Sequence, residues 1–144
     1  MKKLTALFSS AAILSSMLAS GSALAYSDQV MDPAAAHDDA VKTRLVHYTC
    51  QGNSNIEVTY GFNNVNHPTY ASAKINGKKR FMPINYEQTD NMVTVFGDDN
   101  NFNMMTDSMI INNYHKVPAA LVNSPSGEIL YKDCKVDWTK KIKG

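Results

Sequence analysis

Beyond Arg44 the apolar positions fall into short runs with the period of a strand rather than of a helix. Ile56, Val58 and Tyr60 alternate with Glu57 and Thr59, which puts one side of an extended chain into a core and leaves the other wet. Similar runs cover 45–50, 69–75, 78–85, 91–96, 117–122 and 128–132. Residues 102–105 and 109–113 are expected to pair across Thr106-Asp107-Ser108. Turn residues separate the runs. Asn76-Gly77 is the strongest of them, because a type I′ hairpin needs positive φ at both central positions. Asn123-Ser124-Pro125-Ser126-Gly127 turns by another route, with Pro presetting φ and Gly accepting the left-handed region. Roughly eight or nine strands at a spacing near ten residues predict an all-β sandwich or barrel. No helix longer than one turn is expected, and Ala34 to Ala36 with Ala40 could supply that turn.

The first 43 residues have a different texture. Lys2 and Lys3 precede a small and apolar run from Leu4 to Leu18, and Ala23-Leu24-Ala25 offers small residues for cleavage. That order predicts a secretory signal over residues 1–25. No other run is long enough to span a bilayer as a helix. Residues 26–43 are polar, small and without period, and are expected to be a flexible lead-in. The barrel domain then occupies 44–144, with Lys135, Lys140, Lys141 and Lys143 forming a short basic tail.

Export changes the reading of the cysteines. The two in the chain, Cys50 and Cys134, lie in the first and last strand-like stretches. In an oxidising compartment an even count reads as a disulfide. A redox or metal pair would call for C-x-x-C or a spaced His pair, and neither is present. The result is a β-domain fastened at its two ends.

Charge and motifs narrow the function. Of the 14 Lys and Arg, Lys2 and Lys3 belong to the leader, leaving 12 against 13 Asp and Glu. Such a balance gives no electrostatic case for nucleic acid. There is no G-x-S-x-G, no H-E-x-x-H and no glycine-rich phosphate loop. His37, His47, His67 and His115 have no partner spacing. Asp98-Asp99 lacks the rest of a calcium loop. The chain is therefore expected to bind rather than catalyse, without cofactor or metal. Met104, Met105 and Met109 beside Phe102 fit either core filling or an adaptable contact surface, and their alternation favours the core.

The segments Tyr48-Thr49-Cys50-Gln51, Val58-Thr59-Tyr60-Gly61-Phe62-Asn63, Thr69-Tyr70-Ala71-Ser72-Ala73, Ile75-Asn76-Gly77-Lys78, Met82-Pro83-Ile84-Asn85 and Tyr131-Lys132-Asp133-Cys134 resemble, as an ordered set, the adhesin complex protein family of Neisseria and neighbouring Gram-negative genera. That family is in turn similar to bacterial inhibitors of C-type lysozyme. The resemblance implies a small closed eight-stranded antiparallel β-barrel stapled by one disulfide. It also implies residence in the periplasm or on the outer-membrane surface. The activities implied are inhibition of host C-type lysozyme and adhesion to the host-cell surface. The related inhibitors offer a Ser and a Lys to the two carboxylates of the lysozyme cleft.

This chain departs from that pattern. Thr89-Asp90-Asn91-Met92-Val93 stands where the inhibitors have Ser-Gly-x-x-Tyr, and Thr106-Asp107-Ser108 stands where they have Ser-Lys-Gly or Thr-Lys-Gly. An Asp facing two carboxylates would repel them. Asp90, Asp98, Asp99 and Asp107 are expected instead to meet the basic rim of the enzyme's cleft. An adhesin or structural envelope protein without lysozyme activity is the competing reading. A hydrolase or ligand-carrying barrel is a third, and would need a large polar cavity.

Overall fold

The computed structural model describes residues 30–141. The predicted signal, 1–25, lies outside them. Eight strands follow one another as β1 (Lys42–Thr49), β2 (Asn55–Phe62), β3 (Pro68–Ile75), β4 (Lys78–Pro83), β5 (Val93–Gly97), β6 (Asn103–Asp107), β7 (Ala119–Asn123) and β8 (Ile129–Val136). All pairings are antiparallel, in the order β4-β3-β2-β1-β8-β7-β6-β5. A single bridge, Ile84 to Phe96, brings the two outer strands together. The barrel is all but closed.

Alternation makes the core. Val46 and Tyr48 of β1 and Ile56, Val58, Tyr60 and Phe62 of β2 point inward and are buried. Ala71 and Ala73 of β3 leave room for them, while Phe96, Met104 and Val122 fill the far wall. Small residues opposite aromatic ones let a narrow barrel fill without voids. Asn76 and Gly77 have φ of 51° and 77°, as their turn demands.

Two features differ from the sequence expectation. Residues Pro33–Asp39, in a lead-in where Ala34 to Ala36 with Ala40 are expected to supply one turn at most, form a seven-residue helix, α1. Asp32 caps it by accepting from the N–H groups of Ala34 and Ala35 at 3.0 Å, and Pro33 starts it with a preset φ. Ala36 is its buried residue. Outside the barrel, beside this helix, the Tyr70 ring lies directly over Gly61, where any Cβ would collide with it, and packs on Phe81 at 4.5 Å. His37 of α1 stacks against Tyr70 at 6.3 Å. That cover explains why β3 is buried on both faces over most of its length.

The second difference concerns 109–113, predicted to be a strand. β6 instead runs on to Asp107 and pairs with β5 and β7, and 111–116 are turns. Met109 and Ile111 are apolar because they pack against the barrel core, not because they alternate in a ladder.

The seam between β1 and β8 is narrow. Only Tyr48 with Val136 and Thr49 with Lys135 pair there, extended by the Asp137 N–H donating to the His47 carbonyl at 2.8 Å. The Cys50–Cys134 disulfide, joining residues 84 apart in sequence, crosses this same seam.

Inside the barrel the Tyr48 and Tyr60 hydroxyls hydrogen-bond to each other at 2.8 Å, and Tyr48 also donates to the Val117 carbonyl at 3.2 Å. Burial pushes both phenols well above their ordinary value of 10.0. A proton held more tightly in the folded state stabilises it fully below the unfolded value, and that contribution is lost as pH rises through it. Stability should therefore fall above pH 10, with this pair ionising only as the barrel opens. Absorbance of tyrosinate followed beside circular dichroism checks this: two phenols that ionise with the fold intact would contradict it.

Candidate functional site

The expected binding residues divide between opposite ends of the barrel. Val93 pairs with Asp107 and Gly97 with Asn103. Asp90, Asn91, Asp107 and Ser108 therefore lie at one end of the β5–β6 hairpin and Asp98 and Asp99 at the other, roughly 13 Å away at the usual rise per residue. They cannot form one compact site.

Three connections meet at the first end: 63–67 between β2 and β3, 84–92 between β4 and β5, and 108–118 between β6 and β7. Backbone bonds tie them together. Ile111 N–H donates to the Asn66 carbonyl at 3.1 Å, and Ser108 N–H to the Met92 carbonyl at 2.8 Å. Between them lies a cleft of about 320 Å³, lined among others by His67, Tyr86, Asp90, Asn91, Ser108 and Ile110. Thr94 and Met109 form part of its floor, where the Met109 N–H donates to Thr94 Oγ1 at 3.0 Å.

The surface of this end is unusually apolar for connecting segments. Val65 is 61% exposed, Tyr86 55%, Met92 78% and Ile110 40%, and Val41 beside the end of β2 is 61% exposed. Exposed apolar side chains gathered in this way mark a contact surface, whereas scattered ones need no explanation. Carboxylates stand among them: Glu87, Asp90 and Asp107 are exposed, and the charge of Asp39 reaches Tyr86. Lys42, which donates to Asn66 at 3.1 Å, Lys116, and Arg44, whose guanidinium lies 5.9 Å over the Tyr114 ring, are cations at this end.

Individual residues take different parts. Asp90 accepts from Met92 N–H at 2.7 Å and Val93 N–H at 2.9 Å. Those bonds hold its carboxyl below the ordinary value of 3.8. Thr89 Oγ1 accepts from the Val95 N–H at 3.0 Å and pins the loop to β5. Asn91 is exposed. Thr106 is a correction: it is wholly buried, and its hydroxyl donates to the Asp107 carbonyl at 2.8 Å, so it holds a strand end and does not face a partner. At the other end Asp98 is engaged in its own turn, accepting from Asn100 N–H at 2.9 Å and from Asn101 Nδ2 at 3.1 Å, and Asp99 accepts from Asn103 Nδ2 at 3.3 Å.

The residues that sequence reasoning missed are the apolar ones: Val65, Tyr86, Met92 and Ile110. Met92 and Ile110 stand inside runs read as strands, 91–96 and 109–113, so nothing in the sequence set them apart from core residues. Among the described residues no group of three or more His, Cys, Asp or Glu is arranged to hold a metal. No helix there is long and apolar enough to cross a membrane.

A lowered carboxyl stabilises the fold above its unfolded value and loses that contribution as pH falls through the folded one. Asp90→Ala, or acidification far enough below pH 3.8 to protonate this carboxyl, should free the 84–92 loop while the barrel stays folded. Amide exchange at Met92 and Val93 should quicken by about tenfold or more. Unchanged exchange at both amides would show that the loop does not depend on this carboxylate.

Residues 44–136 match the family model of the ACP-like domain. The solved structure of the Adhesin Complex Protein from Neisseria meningitidis is similar to this chain, with 38% identity and a TM-score of 0.62 over 65% of this chain and 99% of that one. No curated protein matches.

Proposed function

Because this chain belongs to the family of the ACP-like domain, we propose that it is an exported, surface-associated bacterial protein that binds host targets through the 63–67, 84–92 and 108–118 end of its barrel, and that host C-type lysozyme is one of them. The observation that carries this reading is the gathering of Val65, Tyr86, Met92 and Ile110 on three connections tied to one another, with carboxylates among them. Apolar side chains desolvated against a partner supply affinity, and the carboxylates steer a basic partner and set orientation. Adhesion to host cells, in keeping with the name of the similar Neisseria protein, would use the same end.

Inhibition in this reading is occlusion. The barrel end sits over the rim of the enzyme's cleft and shuts out the polysaccharide, and the carboxylates face the basic rim. No cation is inserted between the catalytic acids, since Asp107 stands where the lysozyme inhibitors have Lys. Asp107 is also what favours the second reading, an adhesin without lysozyme activity.

The experiment is a titration of human lysozyme with the oxidised protein, reading cell-wall lysis and heat together. The proposal expects lysis to fall to its floor near a 1:1 ratio, with an association rate that drops as salt rises. Lysis untouched at micromolar excess, with host-cell binding retained, would leave the adhesin reading alone standing.

A further inference from the structure

We propose that the outer edge of β4 is a strand-addition site, taking an extended, acidic segment of a partner protein. This does not rest on the lysozyme reading; the groove adjoins the cleft described above at Met31, to which Tyr86 donates at 3.6 Å. β4 is the last strand of the sheet on its side, and the barrel's closure on β5 is confined to the Ile84–Phe96 bridge. The Ile84 N–H donates to the Thr69 carbonyl at 2.8 Å. In an antiparallel ladder alternate residues turn both N–H and C=O to the same neighbour. Lys78 pairs with Ile75 across the two-residue Asn76-Gly77 turn and so bonds to β3; Arg80 and Met82, two and four residues beyond it, do the same, and Lys79 and Phe81 turn both their backbone groups outward. Neither has a backbone partner on that side among the described residues.

These groups face a groove of about 360 Å³ whose opposite wall is Gly97, Asp98, Asn101 and Phe102. The edge already accepts backbone pairing where the chain supplies it: at the upper end of the groove Met31 N–H donates to the Ile84 carbonyl at 2.9 Å and Val30 bridges Asn85. Below that point the chain turns away into α1, and among the described residues no strand covers the edge.

Charge selects the occupant. Lys78, Lys79 and Arg80 follow one another along the edge. The Arg80 guanidinium lies 4.4 Å over the Phe102 ring, and its Nε is buried without a hydrogen-bond partner. Edge lysines deter a second copy of the same edge, because the two rows of cations would oppose each other. The same cations, with an unpaired guanidinium N–H, attract an extended segment that alternates carboxylates with apolar residues. The apolar side chains would rest against Phe81, Phe102 and Met31.

The test uses two peptides, acetyl-Glu-Val-Glu-Val-Glu-Val-amide and its Lys-for-Glu counterpart, added to the oxidised protein labelled with ¹⁵N. The Glu peptide should slow exchange of the Lys79 and Phe81 amides by about tenfold or more, and the Lys peptide should not. Lys79→Pro deletes one outward N–H and no bond to β3, and should weaken the Glu peptide about tenfold or more while the fold is kept. If that variant does not fold, Lys79→Glu combined with Arg80→Gln should lose the peptide to the same degree. Equal slowing by both peptides would overturn the proposal, as would binding that survives Lys79→Pro in a folded protein. So would amides already protected in the free protein in a concentration-dependent way, since a second copy would then be the occupant.

Discussion

Replacing Cys50 and Cys134 together by alanine should cost about 4–5 kcal/mol of stability, the chain-entropy value for a loop of this length. That is a large part of the 5–15 kcal/mol on which a domain of this size survives. The geometry explains why other contacts would not compensate. β1 and β8 share only two residue pairs, and these are what join the four strands β1–β4 to the four strands β5–β8 on this side. On the other side stands the single Ile84–Phe96 bridge. The disulfide is thus the covalent half of a closure whose hydrogen-bonded half is short. Both cysteines are buried, Cys50 at 5% exposure and Cys134 at 0%, so reductant should reach them only after partial opening. Urea unfolding of the oxidised protein and of the double-alanine variant measures the difference. A gap under about 1 kcal/mol would mean that the two half-barrels hold each other by packing alone.

The second large effect should be on binding. Tyr86→Ala combined with Met92→Ala is expected to weaken lysozyme binding by about 30-fold or more, since interface truncations at such anchors cost around 1–2 kcal/mol each. Both side chains stand mostly in solvent, so stability should move by less than about 0.5 kcal/mol. Charge reversal at Asp98 and Asp99, at the opposite end, should leave affinity unchanged. If instead the reversal at Asp98 and Asp99 weakens binding and the double alanine does not, the site belongs at the far end.

Much of this architecture was legible in the chain. The strict alternation of 56–60 and the Asn76-Gly77 turn correspond to β2 and to the β3–β4 hairpin. What escaped notice has physical reasons. β3 is buried on both sides, so its period of two is hidden in a run of small and aromatic residues. The Asp32-Pro33 start signal of α1 was present, but with Ala36 as its one buried residue the helix shows no apolar stripe. Met109 and Ile111 alternate like a strand while serving as loop packing at the mouth of the barrel.

The candidate site was half legible. Thr89-Asp90-Asn91 and Asp107-Ser108 do come together, and hairpin parity alone separates them from Asp98 and Asp99: residues flanking a hairpin meet at its open end, and its turn lies at the other. The apolar surface residues were harder to find, because an exposed Val65 or Met92 looks like any core residue until burial is known.

The most direct test of the central claim is amide exchange across the ¹⁵N-labelled oxidised protein, mapped with and without human lysozyme. Slowed exchange is expected at 63–67, 84–92 and 108–116, with the 98–102 and 124–128 turns unchanged. Slowing at those two turns, or no slowing anywhere at saturating lysozyme, would contradict it.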